Sequence, residues 1–243
     1  MPRVAGNGLT FAALEGAAAI FADRTASPPG DHHALAVAAS HALSLGFGEL
    51  PAVLFPRQRH TRLVFAFRGT IPVRGTGHEV GVCDALITDQ PGVALMVVTA
   101  DCLPVALAGG GCVAMVHAGW RGLAADILGA VTAQLRAEYG VDTSELRAAI
   151  GVGVGPCHYR VGDDVREGLA RHGVGDAAWR VGECADLAAW ARGRLVTLGV
   201  VGERIATLSG CTACSPRHHS YRRDGQGAGR QWSAVAVTPR SPR

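Results

Sequence analysis

Apolar residues along the chain fall into two recurring patterns, short runs of strand length and longer stretches with helical spacing. Residues 17–22 predict a strand. The Pro28-Pro29-Gly30 break follows, and Asp31 then caps a helix predicted over 31–45. The β-branched runs at 52–54, 62–66, 85–88 and 93–98 read as further strands. Two more, 103–108 and 112–116, are joined by Gly109-Gly110-Gly111 and predict a β-hairpin. Leu123, Ile127, Val131 and Leu135 then recur four apart, which predicts an amphipathic helix over 122–139 ended by Gly140. A strand over 146–152, helices over 163–171 and 184–198, a polar glycine- and arginine-rich stretch over 209–229 and a last strand over 233–237 follow. This alternation implies a mixed α/β (α+β) class, one domain over 1–243 built of layered mixed β-sheets flanked by helices. No repeat period or long linker divides it.

A chain of 243 residues, 48% hydrophobic, can bury a large core. Its apolar stretches are too broken to span a membrane: 102–116 contains Pro104 and three glycines, and 33–48 carries Ser40, His41 and Ser44. Met1-Pro2-Arg3-Val4 lacks the basic start and continuous apolar core of a secretory leader, so a cytoplasmic location is expected. In that compartment the seven cysteines, an odd number, read as thiols, a few of them with metal or catalytic uses. The net charge of +3 is small for the length and gives no ground for a nucleic-acid partner. All 23 basic residues are Arg, which matches the Ala- and Gly-rich composition as a coding bias, so each Arg needs its own argument.

The densest group of reactive side chains is Thr99-Ala100-Asp101-Cys102 and, after the hairpin, His117-Ala118-Gly119-Trp120-Arg121-Gly122. Pairing of the two strands brings Cys102 and His117 to one edge of the sheet. A thiolate and an imidazole there can bind zinc, and a third ligand would leave the open position that catalytic zinc needs. His60, in Gln58-Arg59-His60, is the candidate third ligand. The same spacing also permits a metal-free pair in which His117 deprotonates Cys102 as a nucleophile, or two ordinary buried residues. Gly151-Val-Gly153-Val-Gly155-Pro156 lacks Rossmann or P-loop spacing and reads as a tight backbone crossing. Cys211-Thr-Ala-Cys214 has the spacing of a redox pair or half a zinc site, with no second pair to match it. Ser220-Tyr-Arg-Arg-Asp-Gly225 is a solvated loop or an anion-binding one.

In this order the segments resemble the YfiH-like family, first described as polyphenol oxidoreductases or laccases and later regarded as purine nucleoside phosphorylases with adenosine deaminase activity. The matching stretches are Gln58-Arg59-His60, Asp84 to Thr88, Thr99 to Val105, His117 to Gly122, Gly155-Pro156-Cys157, Cys211-Thr212 and Ser220 to Gly225 with Gly229-Arg230. The resemblance implies a zinc ion held by His60, Cys102 and His117. It also implies phosphorolysis of adenosine, inosine or methylthioadenosine, and hydrolytic deamination of adenosine by a zinc-acidified water. Cys102, His117 and Asp101 are then the expected catalytic residues, and Arg121 and Arg222 the expected phosphate contacts, with Arg121 alternatively pairing Asp101. Two departures stand out: Thr61 occupies the place of a family glycine and adds bulk beside the metal, and residues 1–50 lack the family's N-terminal arginine pattern, Arg24 and Pro28-Pro29-Gly30 being what is there instead. The expected partners are a small-molecule nucleoside and phosphate, with no nucleic acid and no membrane, on a monomer. Copper-dependent phenol oxidation would need several His-rich centres, which ten scattered histidines without His-x-His pairs do not supply. A structural zinc clamp on a partner-binding protein is the non-enzymatic alternative.

Overall fold

The computed structural model describes residues 3–4 and 7–238; Met1 and Pro2, half of the stretch inspected for a leader, lie outside them. Two mixed sheets stack face to face. One runs Arg3–Val4, Leu9–Leu14, Ala17–Ala22, Gln231–Val237, Val93–Thr99, Ala52–Arg57 and Gly77–Val82 from edge to edge. The other runs Ile205–Thr207, Arg147–Ile150, Leu103–Gly109, Cys112–Ala118, Ala85–Thr88 and Val64–Phe67. Between them lie Leu54, Leu95 and Val97 of the first sheet and Leu86, Ala106 and Met115 of the second. The helix His32–Phe47 covers the outer face of the first sheet through Leu35, Ala39 and Leu43. Ile127–Tyr139 and Leu187–Thr197 cover the outer face of the second. The expected fold class, layered mixed sheets flanked by helices, is therefore the observed one.

The layering explains why so many strands read as unbroken apolar runs. In Cys112–Ala118, Val113 and Met115 face the other sheet, while Ala114 and Val116 face the helices. A strand covered on both sides has no solvent face to mark with polar residues. The hairpin closes through Gly110 and Gly111, both with positive φ (57° and 82°), as a two-residue turn with right-handed strand twist requires.

The helix expected over 122–139 is two helices, Trp120–Ala124 and Ile127–Tyr139. Leu123, Ile127, Val131 and Leu135 are all buried as their spacing demands, so the apolar stripe runs straight through the break. The break is at Asp126, whose φ of 64° ends one helix while its side chain caps the next on Gly129 N. Such a φ is unfavourable for a residue with a Cβ, and here the Arg194 guanidinium offsets the cost by gripping both Asp126 oxygens at 2.8 and 2.7 Å. The helix expected from 184 starts at Leu187, capped by Asp186, because Cys184–Ala185 pairs with Arg180–Val181. The strands Leu9–Leu14, Gly77–Val82 (broken by His78 and Glu79) and the short Ile205–Thr207 were not among those expected. Among the described residues no helix is long and apolar enough to cross a membrane.

Candidate metal centre and cavity

The hairpin register sets the centre. His117 pairs with Pro104 and Ala118 with Leu103, so one step further puts Gly119 opposite Cys102. On the other side Val116 pairs with Ala85, and the ladder continues with His117 N–H donating to the Asp84 carbonyl at 2.8 Å. His60 comes from the first sheet. It lies in the loop that leaves Ala52–Arg57 and crosses to Val64–Phe67 of the second sheet. Gln58 pins this crossing: its side-chain amide donates to Val98 O at 2.8 Å and accepts from Val98 N at 2.9 Å, as a strand neighbour would. Three chain segments thus converge where the two sheets part.

The donor atoms of His60, Cys102 and His117 all lie within 4.8 Å of one another. Cys102 Sγ is 3.7 Å from His60 Nε2, and the two imidazole rings are 4.8 Å apart. Tetrahedral zinc with one thiolate and two imidazoles sets its sulfur and nitrogen ligand atoms about 3.5 Å apart, so the residues fit the ion. Gly119 is required for this approach, since a Cβ there would stand 2.8 Å from both Cys102 Sγ and His60 Cδ2. His60 itself has φ 59°, and Asp101, beside Cys102, has φ 89°. Strained backbone of this kind persists only where the surroundings over-determine it.

What holds His60 in place is Asp84, fully buried directly opposite His117. Its carboxylate accepts the backbone N–H groups of Arg59, His60 and Thr61 and the Thr61 hydroxyl. It also accepts His117 Nδ1 at 2.8 Å. A carboxylate can only accept, so Nδ1 carries a proton and Nε2 is the nitrogen presented toward Cys102. Burial pushes the Asp84 carboxyl up, yet these hydrogen bonds outweigh it and hold it well below the usual carboxylate range. Burial likewise raises the Cys102 thiol, but the charge on His117 and hydrogen bonds from His117 and His60 bring it down to about 6. Burial lowers His117, while the Cys102 thiolate and Asp84 raise it to about 9. A thiol drawn toward its thiolate, beside an imidazole aimed by a buried carboxylate, suits either a metal-ligand set or a cysteine nucleophile.

Thr61, expected to add bulk beside the metal, turns its hydroxyl to Asp84 instead, where the departure adds a donor. Asp101 does not pair with Arg121. Its carboxylate accepts from Thr212 Oγ1 at 2.5 Å and from Arg222 N at 2.6 Å, which makes it a brace between the Cys102 loop and the 209–230 segment. Arg121 lies over its neighbour Trp120, 4.5 Å from the ring, and makes no ion pair among the described residues. The Arg222 guanidinium donates to Arg160 O and sits 5.2 Å over the Tyr159 ring.

The centre opens into a cavity of about 990 Å³ that also contains Trp120, Arg121, Tyr159 and Arg222. Aromatic faces and guanidinium groups in one enclosure suit a flat heterocycle and an anion. Sequence reasoning named Asp84 and Tyr159 only as parts of motifs or not at all; the parity of Asp84 with His117 across two strands was the signal that could have found the first. Arg24, Pro28, Pro29 and Gly30 line a second hollow, which meets this cavity at His32, Glu79 and Arg230.

Residues 28–238 match the family model described as multi-copper polyphenol oxidoreductase laccase. A purine nucleoside phosphorylase of Xylella fastidiosa (strain 9a5c) is 40% identical over 153 residues, 58% of this chain and 56% of its own length. The chain thus spans little more than half of that curated relative. An adenosine deaminase from an unknown prokaryotic organism is 32% identical over 209 residues, 80% of this chain and 78% of its own length. The crystal structure of the Bacillus licheniformis hypothetical protein YfiH has the same fold, with a TM-score of 0.84 at 23% identity, covering 98% of this chain and 99% of that one.

Proposed function

The chain belongs to the family described as multi-copper polyphenol oxidoreductase laccase, and from that premise we propose that it is a zinc-dependent purine nucleoside phosphorylase that also deaminates adenosine. The observation that carries this reading is the convergence of His60, Cys102 and His117 at the head of an aromatic and arginine-lined cavity. Relatives named for phosphorolysis and for deamination support the pair of activities.

Zinc on this donor set would supply a Lewis acid that lowers the pKa of water at its open position. Asp84 fixes the His117 tautomer and so presents Nε2 as a ligand. Tyr159 and Trp120 offer faces on which a purine base stacks, and Arg121 and Arg222 offer the positive charge that a phosphate dianion needs. Asp101 acts here as a positioning residue, holding Arg222 and the Cys102 loop at one spacing. The proposed working unit is a monomer. The free thiols among the described residues support a reducing, cytoplasmic setting.

The family's description points to copper, but only two groups of three or more donors exist among the described residues, and neither is the His-rich cluster that multi-copper oxidation needs. The decisive experiment incubates purified protein with adenosine and separates the products. Adenine and ribose 1-phosphate should form only with phosphate present, and inosine should form without it. Absence of all three products overturns the reading. Full turnover by metal-free protein would instead support the cysteine nucleophile.

A further inference from the structure

Away from the cavity, Cys157, His158, Cys211 and Cys214 bring their donor atoms within 4.8 Å of one another. They come from two segments far apart in sequence, the loop after Arg147–Ile150 and the segment after Ile205–Thr207. His158 Nδ1 lies 3.4 Å from Cys157 Sγ, 3.3 Å from Cys214 Sγ and 3.9 Å from Cys211 Sγ, and Cys157 Sγ is 3.4 Å from Cys214 Sγ. A tetrahedral ion with Zn–S of about 2.3 Å and Zn–N of about 2.0–2.1 Å spaces its ligand atoms about 3.5–3.8 Å apart. The four measured edges bracket that range. Gly155 N–H donates to Cys211 Sγ at 3.1 Å, the kind of outer hydrogen bond that steadies a coordinated thiolate. Three sulfurs and one imidazole facing a common point have no packing purpose at a position where three of the four residues are exposed.

We infer that Cys157, His158, Cys211 and Cys214 form a second, structural zinc site. All four positions are filled by protein, so no place remains for water or substrate. Binding the ion displaces the three thiol protons to solvent. The site ties two segments that both feed the cavity wall. His158 precedes Tyr159, and Thr212, inside the Cys211–Cys214 turn, donates to Asp101 beside Cys102. Thr212 N–H also bonds Gly153 O at 3.0 Å, so the clamp and the backbone crossing at 151–155 form one unit. The lone Cys211-Thr-Ala-Cys214 pair finds its missing half at Cys157-His158.

The test is metal content by mass spectrometry on full-length protein made with zinc and reductant, together with alkylation mapping of each cysteine. Wild type should hold about two zinc ions per chain, and Cys102→Ser about one. In Cys102→Ser, Cys157, Cys211 and Cys214 should resist alkylation until a strong chelator is added. Cys214→Ser should lose one ion, whereas His158→Cys, which makes four thiolates, should keep both. If Cys214→Ser does not fold, the Cys102→Ser protein decides alone: one ion with three protected thiols supports the site, and none overturns it. Recovery of Cys157 and Cys214 as a disulfide from cells alkylated at lysis would also overturn it.

Discussion

The two donor clusters are made from the same residue types and differ in number and surroundings. His60, Cys102 and His117 offer three ligands at the head of a cavity, with His117 buried and backed by Asp84. Cys157, His158, Cys211 and Cys214 offer four, three of them exposed, and among the described residues the histidine hydrogen-bonds to the thiols and to no carboxylate. Three ligands leave a coordination position for chemistry; four consume the ion's whole capacity and leave only cross-linking. Backing follows the same division. The histidine that must present a lone pair with fixed aim has a buried carboxylate, and the exposed one has thiols alone.

The sharpest way to break this comparison is to remove one ligand from each side. Cys102→Ser should cut adenosine turnover about 1000-fold, the loss of several kcal/mol of transition-state stabilisation, while the thermal midpoint stays close to wild type. Cys214→Ser should do the reverse, lowering the midpoint by several degrees and turnover only modestly; equal effects in the two variants would erase the distinction. Asp84→Asn comes next. It should reduce metal affinity or activity about 10–100-fold, checked by zinc titration, because the amide cannot hold both the His117 N–H and the three backbone donors of 59–61. Gly119→Ala should weaken zinc binding about 10-fold by crowding Cys102 and His60, with circular dichroism unchanged.

The smallest effect lies away from both clusters and serves as their control. Arg194→Met should cost about 1–2 kcal/mol of stability in urea and leave turnover unchanged. Burial raises the Asp126 carboxyl, and the Arg194 hydrogen bond and charge outweigh it, so its folded pKa lies below its unfolded one. A depressed carboxylate contributes stability that is complete above about pH 4 and is lost as pH falls through the lower, folded value. The variant should therefore show a weaker loss of stability below about pH 4 than wild type does.

Much of the fold could be read from the chain because runs such as 93–98 and 103–108 are bounded by turn residues and long enough to be strands and nothing else. Their partners could not be read, since a strand buried on both faces carries no mark of which face is which. The break at Asp126 was hidden because the apolar spacing of four continues across it. At the site, Cys102 and His117 were legible through the hairpin, whose register is a local matter of turn length. His60 was proposed as a histidine just ahead of a predicted strand and again by resemblance, while the expected pairing of Arg121 with Asp101 gives way to Arg121 over Trp120 and Asp101 accepting from Thr212 and Arg222 N.

The residues alone determined the sheet-and-helix alternation, the hairpin and the presence of separated thiols and imidazoles, because those follow from short-range periodicity and turn chemistry. Only the tertiary structure decided that Asp84 backs His117, that Gln58 ties the His60 crossing to Val98, and that Cys157-His158 meets Cys211 and Cys214. Each of those meetings joins segments tens of residues apart, and such pairings depend on which sheet a strand enters, a choice made by the packing of the whole core and written in no local pattern.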